Sequence, residues 1–557
     1  MRSPLAKTGE ARSGGRLLVD CLIAHNVPLM TCVPGESFLA VLDALYEIEA
    51  SGARIPRLIT TRHEAAAANM AEAAGKLTGV PAVCFVTRGP GATHASIAVH
   101  TAYQDGTPMI LIVGQVSRAV RGREAFQEME YSTVFGSSAK AVVEIQSADR
   151  IAEHIARAVH TARTGRPGPV VIVVPEDMLT DKTLAPVILS PPVTVPVASS
   201  KQIQSVVARL DRAERPLLIV GGTGWTQEAG EQIALFAERL RVPIAAAFRW
   251  QDAVDNRSPA YVGYLGLGDN PRLRRRLSDA DLIVAVGPRL DDPTTQGFEA
   301  PFIEGHSAEI VMINEDIADL CNSIVPDIAV HGEIVDFVQK LARSEMDANP
   351  SREAWLEELR QLYVEFTKPV EAAGSIDLAH VVRHVREVLP DDAVVTNGAG
   401  NYSVWVQRFF EFRRFHTQLA PRNGAMGYGL PAALTASALD PGRKAVAFVG
   451  DGSLLMSGNE FATAVQEQLD VVVILFNNGM YGTIRMHQEK QYPGRVIATT
   501  LQNPDFVAYA ESFGALGRLV LRTEDFPEAF ATALERRGPS LIELRTDPEQ
   551  LTPDLRL

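Results

Sequence analysis

The stretch Lys444–Asn478, KAVAFVGDGSLLMSGNEFATAVQEQLDVVVILFNN, constrains the fold more than any other part of the chain. It reads as strand, Gly-Asp-Gly turn, helix, strand and Asn-Asn. Asp451 closes the first strand and Asn478 the second, at a spacing that suits one βαβ unit. Parallel strands end on the same edge of a sheet, where open α/β sheets bind ligands. A carboxylate and an amide oxygen then face one spot. Hard oxygen ligands with positions left open suit a Mg²⁺ ion that also holds phosphates. A lone Gly-Asp-Gly is equally a common turn, with the asparagines as helix caps or edge amides.

The rest of the chain is consistent with that unit. Its 557 residues are enough for about three ordinary domains. A hydrophobic content of 46% with 22% charged residues describes a soluble globular protein. No apolar run approaches the roughly 20 residues of a membrane helix. The opening MRSPLAKTGEARSGG has no signal-peptide core and reads as a short disordered tail. The four cysteines, Cys21, Cys32, Cys84 and Cys321, have neither metal spacing nor a paired framework. Cys32 and Cys84 read as buried thiols, and a reducing, cytoplasmic compartment fits. A net charge of −14 argues against general nucleic-acid binding. The brief basic run Arg272–Arg276 reads as a solvated helix face.

Three α/β blocks follow from the pattern of apolar runs. The predicted class is α/β, with three doubly wound domains on parallel sheets: 14–183, 199–343 and 375–550. Strands are expected at 57–61, 82–87, 109–114 and 170–174; at 217–220, 282–286 and 310–313; and at 393–396, 445–449 and 471–476. Runs without alternating polar residues suit sheets covered on both faces. The proline-rich LAPVILSPPVTVPVASS, from Leu184 to Ser200, reads as an interdomain linker. The first and third blocks could be distant copies of one architecture; their sequences alone do not prove it.

Thr61-Arg62-His63-Glu64 follows a strand and opens the alanine-rich, helix-favouring run AAAANMAEAAGKL. Glu64 therefore falls in a first helical turn, where an acid also simply complements the helix dipole. RHEAAAANMAEAAGKLTG, then VTRGPGATH and FQE, resemble the pyrimidine-binding domain of the acetolactate synthase-like thiamine-diphosphate family. With the later motifs the resemblance covers about residues 14 to 550. It implies that Glu64 is the activating carboxylate. A carboxylate on pyrimidine N1′ favours the imino tautomer, whose nitrogen takes the thiazolium C2 proton.

The resemblance assigns the remaining cofactor contacts. Met426, in NGAMGYGLPAA, matches the apolar residue that enforces the folded cofactor, although methionine is more often core filling. Gly452 and Ser453 face the diphosphate, with backbone N–H groups from the turn before an expected helix at 457–468. Gly35, Gly398, Gly400 and Asn401 allow close approach; relatives often carry Gln-His where this chain has Asn401-Tyr402. Asp451, Asn478 and the Met480 carbonyl are the implied magnesium ligands. In this family Glu64 and the Gly-Asp-Gly motif of one site come from different subunits, so a homodimer is the minimum unit and a homotetramer an extension.

Departures gather at the substrate end. Glu36, in CVPGESF, replaces a glycine of the synthases. It bears either on the choice of reaction or only on the turn into SFLAVLDAL. Glu176 stands where the synthases have lysine, His487 where they have tryptophan, and His94 where an asparagine is usual. Gln127 matches an active-site glutamine. Glu36, His94 and Gln127 therefore join Glu64 as catalytic candidates, with a structural histidine as the alternative for His94; His487 is either a contact to a different acceptor substrate or a residue of the helix surface. For the central domain, GGTG, GPRLDD and MINED make FAD a candidate, with Arg289 and Glu315 as contacts; a ligand-free domain or an adenine nucleotide are the alternatives. The implied reaction is decarboxylation of a 2-oxo acid with carboligation to a second carbonyl. The alternatives are simple decarboxylation and a lyase or decarboxylase of acyl-CoA thioesters. A non-catalytic relative would lack the activating acid or a metal ligand, and Glu64, Asp451 and Asn478 are all present.

Overall fold

Runs of buried valine, isoleucine and leucine build three six-stranded sheets, each parallel throughout. The computed structural model describes residues 10–53, 55–299, 301–302, 308–370 and 374–557. From edge to edge the first sheet runs Leu58–Thr60, Met30–Cys32, Ala82–Val86, Met109–Gln115, Pro169–Pro175 and Ala141–Glu144. The third runs Gln418–Leu419, Val394–Asn397, Ala445–Gly450, Val472–Asn477, Ser540–Arg545 and Leu516–Val520. In chain order both are 2-1-3-4-6-5, so the first and third blocks share one architecture. The central sheet differs. Its order is 3-2-1-4-5-6, from Tyr261–Tyr264 through Pro216–Val220 to Ile328–His331, the doubly wound dinucleotide-fold order.

Every strand expected from the sequence is present, with ends shifted by a residue at most. Those not anticipated include the short Met30–Cys32, Ile244–Ala246 and Gln418–Leu419, too brief for a clear apolar run. Alternate residues of each central strand enter separate cores on the two faces. Cys84 and Val86 join one cluster, Val83 and Phe85 another, as expected of a doubly wound sheet. One of these cores is common to the first and third sheets. The alanine-rich helix Glu64–Thr78 packs there against Pro90–Asp105 and Gly429–Leu439. Small side chains let the three helices approach. Tyr428 donates to the wholly buried Glu72 at 2.6 Å, and Thr435 to the Met70 carbonyl at 3.1 Å.

Several expectations need correction. Residues 1–9 of the expected tail lie outside the described residues, but Arg12–Ser13 forms a strand and Gly14 begins a helix. The Arg272–Arg276 face is only partly solvated, because Arg274 pairs with the buried Asp269. The linker reading stands, since residues 184–199 belong to no helix or strand. Cys21, Cys32 and Cys84 are buried free thiols and Cys321 an exposed one. Among the described residues no helix is long and apolar enough to cross a membrane.

Candidate active site

In a 2-1-3-4-6-5 sheet the connections leave in opposite directions after strands 1 and 3, opening a crevice at their carboxyl ends. The third sheet has a cavity of ≈ 270 Å³ at that edge. Asp451, Gly452, Ser453, Asn478 and Met480 line it, with Gly400, Asn401 and Met426. The strand runs to Gly450, so Asp451 does not close it but opens the short helix Asp451–Leu454. The expected helix at 457–468 is broken into Gly458–Glu460 and Phe461–Gln466. Gly452 and Ser453 themselves line the cavity, with the Gly452 N–H engaged by the Asp451 carboxylate. Met426 lines the cavity, which removes the reading of a core methionine.

The Asp451 carboxylate is 3% exposed and fixed from both sides. Oδ1 accepts from Gly452 N at 2.9 Å; Oδ2 accepts from Gly479 N at 2.9 Å and from Asn503 Nδ2 at 2.7 Å. Burial pushes its pKa up despite these donors. Asn478 Oδ1 accepts from Met480 N at 3.2 Å, and the Met480 carbonyl from Gly482 N at 3.0 Å. Each of the three oxygen groups keeps lone pairs beyond these bonds. Sequence reasoning missed Asn503, which also donates to Asn477 Oδ1 at 2.9 Å. Only the fold brings QNPDF to this edge.

The glycine loop before the helix Tyr402–Phe409 is more occupied than expected. Tyr402 Oη accepts the Gly398 N–H at 3.0 Å, so Gly398 offers space and no free donor. A Cβ on Gly400 (φ +139°) would lie 2.9 Å from the Tyr402 ring, so that glycine is already needed by the tyrosine. Asn401 Oδ1 accepts from Thr483 Oγ1 at 2.9 Å. His487 is exposed on the helix Gly482–Gln491 and does not line the cavity.

The first sheet presents the matching edge. Glu64 is the first residue of its helix, capped by His63, whose Nδ1 accepts from Ala65 N. Glu64 Oε2 lies 2.9 Å from His94 Nδ1, and the His63 and His94 rings stack at 4.6 Å. Close approaches link Glu64 to the strand ends. A Cβ on Gly91 would lie 2.9 Å from Thr87 and 3.4 Å from Glu64 Oε1; one on Gly35 would lie 2.5 Å from Thr87. Gln127 (φ +64°) packs on Gly89 (φ +60°). A non-glycine residue in this region costs about 1–3 kcal/mol and tends to be kept where function needs it.

Glu36 and Glu176 have an unanticipated partner. Arg88, 7% exposed, donates to Glu36 Oε1 at 2.7 Å and to Glu176 Oε2 at 2.9 Å, with a weaker Nε contact to the Phe126 carbonyl at 3.3 Å. Glu36 therefore neither caps the Leu39–Ala50 helix nor stands free. The signal was in VTRGPG, where an arginine follows directly on a buried strand.

In the central domain Glu315 lines a cavity of ≈ 450 Å³ shared by all three domains. Its carboxylate lies against Gly224 (φ +86°), and burial raises its pKa. Arg289 does not line this cavity and pairs with Asp319 at 3.4 Å. Arg249 and Trp250 do line it, and Arg249 Nε and Nη1 and Trp250 Nε1 are buried without a partner.

Twin parallel sheets, one with an oxygen-lined cradle and one with a carboxylate at a helix start, flank a dinucleotide-type domain; together they define a three-domain cofactor enzyme. Family models agree. Residues 12–134 match the thiamine pyrophosphate enzyme N-terminal TPP binding domain, 203–341 its central domain and 398–544 its C-terminal TPP binding domain. The acetolactate synthase large subunit of Parasynechococcus marenigrum is 31% identical over 97% of this chain and 88% of its own length. The isozyme 1 large subunit of Escherichia coli K12 is 31% identical over 98% and 96%. The acetolactate synthase of Bacillus subtilis 168 is 29% identical over 96% and 93%. The chain belongs to the acetolactate synthase-like family of thiamine pyrophosphate enzymes.

Proposed function

We propose that the protein is a thiamine-diphosphate-dependent carboligase that decarboxylates a 2-oxo acid and joins the remaining acyl unit to a second carbonyl compound. The observation that carries this reading is the cavity at the edge of the third sheet, where Asp451, Asn478 and Met480 converge beside Gly452 and Ser453. That donor set fits a hard divalent cation, Mg²⁺, holding a diphosphate. Spare lone pairs on all three groups, and a carboxylate that burial alone disfavours, support the fit. When bound, the cofactor supplies the electron sink for loss of CO₂.

The chain's own residues take the remaining tasks. Glu64 holds the proton relation at the pyrimidine ring, positioned by His63 and His94. Met426 supports the ring system from the cavity wall. Gly35, Gly400 and Asn401 shape the approach, and Gln127 reaches the reacting end on its strained backbone. His487, exposed on its helix and outside the cavity, fits the helix-surface reading better than that of an acceptor contact.

The cavity is lined entirely by residues between Leu378 and Leu551, and Glu64 is not among them. This supports a site completed by the N-terminal domain of a second copy, hence a homodimer or a homotetramer. The compartment assigned is the cytoplasm, on three buried free thiols. FAD is a candidate occupant of the central cavity, beside an adenine nucleotide or no ligand; the unpartnered donors of Arg249 and Trp250 with Glu315 alongside support a bound group. Arg289, engaged by Asp319, is the weaker contact.

The test is product identification by mass spectrometry from a panel of 2-oxo acids, with thiamine diphosphate and Mg²⁺, with and without acceptors. CO₂ release with a carbon–carbon-joined product is expected. Aldehyde as the sole product would replace carboligation by simple decarboxylation, and turnover only with CoA thioesters would move the protein to that class. A flavin absorption band in the purified protein is the matching test for FAD.

A further inference from the structure

The edge of the first sheet carries a charge arrangement that the cofactor reading does not use. Arg88 follows strand 3 of that sheet, Glu36 follows strand 1 and Glu176 follows strand 6. The guanidinium is spent on in-chain partners: Nη2 on Glu36, Nη1 on Glu176 and Nε on the Phe126 carbonyl. Its side chain is 8% exposed, while those of Glu36 and Glu176 are 63% and 39% exposed. The cation is buried and the two carboxylates face outward, so the cluster presents net negative charge.

This cluster adjoins the reacting end. Thr87, the residue before Arg88, is the side chain that a Cβ on Gly35 or Gly91 would meet first, and a Cβ on Gly91 would also come within 3.4 Å of Glu64 Oε1. Gly89, the residue after it, packs on Gln127. On the other side of the site, among the described residues, no lysine, arginine or histidine lines the C-terminal cavity. A carboxylate that must remain on a bound molecule therefore meets two carboxylates here, and the guanidinium between them is already paired with both. Like charges a few ångström apart in a partly dry site repel one another far more than they do in water.

We propose that the Glu36–Arg88–Glu176 cluster sets acceptor class, excluding a second 2-oxo acid and admitting an aldehyde, which carries no carboxylate. The inference rests on the carboligase reading above. The donor is exempt from the exclusion because its carboxylate leaves. For pyruvate the C1–C2 bond breaks and C1 departs as CO₂. The two-carbon acyl unit then forms a bond from its carbonyl carbon to the aldehyde carbon. The aldehyde oxygen takes one proton, and an uncharged hydroxyketone is released. No oxidant or reductant is consumed.

The experiment is a competition, run on the full-length protein with thiamine diphosphate and Mg²⁺. Pyruvate is supplied with equal concentrations of acetaldehyde and 2-oxobutyrate, and the ratio of hydroxyketone to acetohydroxy acid is read by mass spectrometry. A ratio of at least tenfold in favour of hydroxyketone is expected. Glu176→Gln removes one carboxylate and releases part of the guanidinium, so its ratio should fall at least fivefold. Glu36→Gln, at the more exposed position and least able to disturb folding, carries the same expectation. Because the ratio is internal to each enzyme, a general loss of rate cancels. Preference for 2-oxobutyrate in the unaltered protein overturns the proposal, as does a ratio unmoved by the substitutions. Absence of CO₂ release from every 2-oxo acid instead overturns the carboligase reading, and the acceptor assignment with it.

Discussion

The first and third sheets have the same strand order, yet their crevices have become opposites. In the third, strand 3 is followed by Asp451 with a glycine on either side, and the crevice is an open cavity lined by Asp451, Asn478 and Met480. In the first, strand 3 is followed by Thr87 and Arg88, and the guanidinium pairs with acids that follow strands 1 and 6. One topology therefore supplies two kinds of edge, a cradle of oxygen ligands and a wall that carries its own cation, Arg88. The difference lies in a few residues after strands 1, 3 and 6; the strands themselves are interchangeable runs of buried valine, isoleucine and alanine.

The largest expected effect separates the two edges by what each contributes. Asp451→Ala removes the central cradle ligand, and Glu64→Gln keeps shape but removes the charge on the opposite domain. Both should lower kcat by about 10²–10⁴, the usual range for loss of acid–base or metal function. Only Asp451→Ala should abolish the heat of thiamine diphosphate and Mg²⁺ binding in a calorimetric titration. Glu64→Gln should bind both within a few-fold of the unaltered protein. Unchanged turnover in Glu64→Gln would falsify the activation role given to that residue.

The cradle was legible in the sequence because its parts are local. Asp451, Gly452, Ser453 and Asn478 belong to one βαβ unit, and strand–turn–helix periodicity alone puts their ends on one edge. Glu64 was legible as a helix-start acid, and its role came from resemblance. The wall was not legible. Arg88, Glu36 and Glu176 lie on three strands far apart in sequence, and nothing local says that three charged residues will meet. Asn503 was missed for the same reason. Tyr402 shows a subtler failure. The glycines around it read as room for a ligand, yet Gly400 and Gly450 also make room for the tyrosine ring.

A smaller effect tests how far the cradle extends beyond its ligands. Asn503 donates to Asp451 Oδ2 and Asn477 Oδ1, holding the carboxylate at the angle it has. Outer partners of this kind are worth about 10–100-fold in metal affinity. Asn503→Ala should weaken Mg²⁺ activation by that factor, with kcat at saturating Mg²⁺ falling far less than in Asp451→Ala. Equal losses in the two variants would make Asn503 part of the cradle.

The smallest effect concerns the wall, and its size follows from exposure. Removing one partner of a fully buried ion pair costs about 3–5 kcal/mol, whereas an exposed pair is worth about 0–1 kcal/mol. Here the arginine is buried and both acids are partly in water, so screening takes much of the larger figure away. Arg88→Gln should therefore cost about 1–2 kcal/mol, read as a lower midpoint in urea at unchanged slope. Arg88→Lys should recover only part of this, because an ammonium lacks the planar fork that reaches both acids. Neither change should alter Mg²⁺ affinity, since the cradle belongs to another sheet. A loss below about 0.5 kcal/mol in Arg88→Gln would place the cluster among ordinary surface pairs. A change in Mg²⁺ affinity would mean that the twin edges are coupled, and that the wall helps to set the cradle as well as the acceptor.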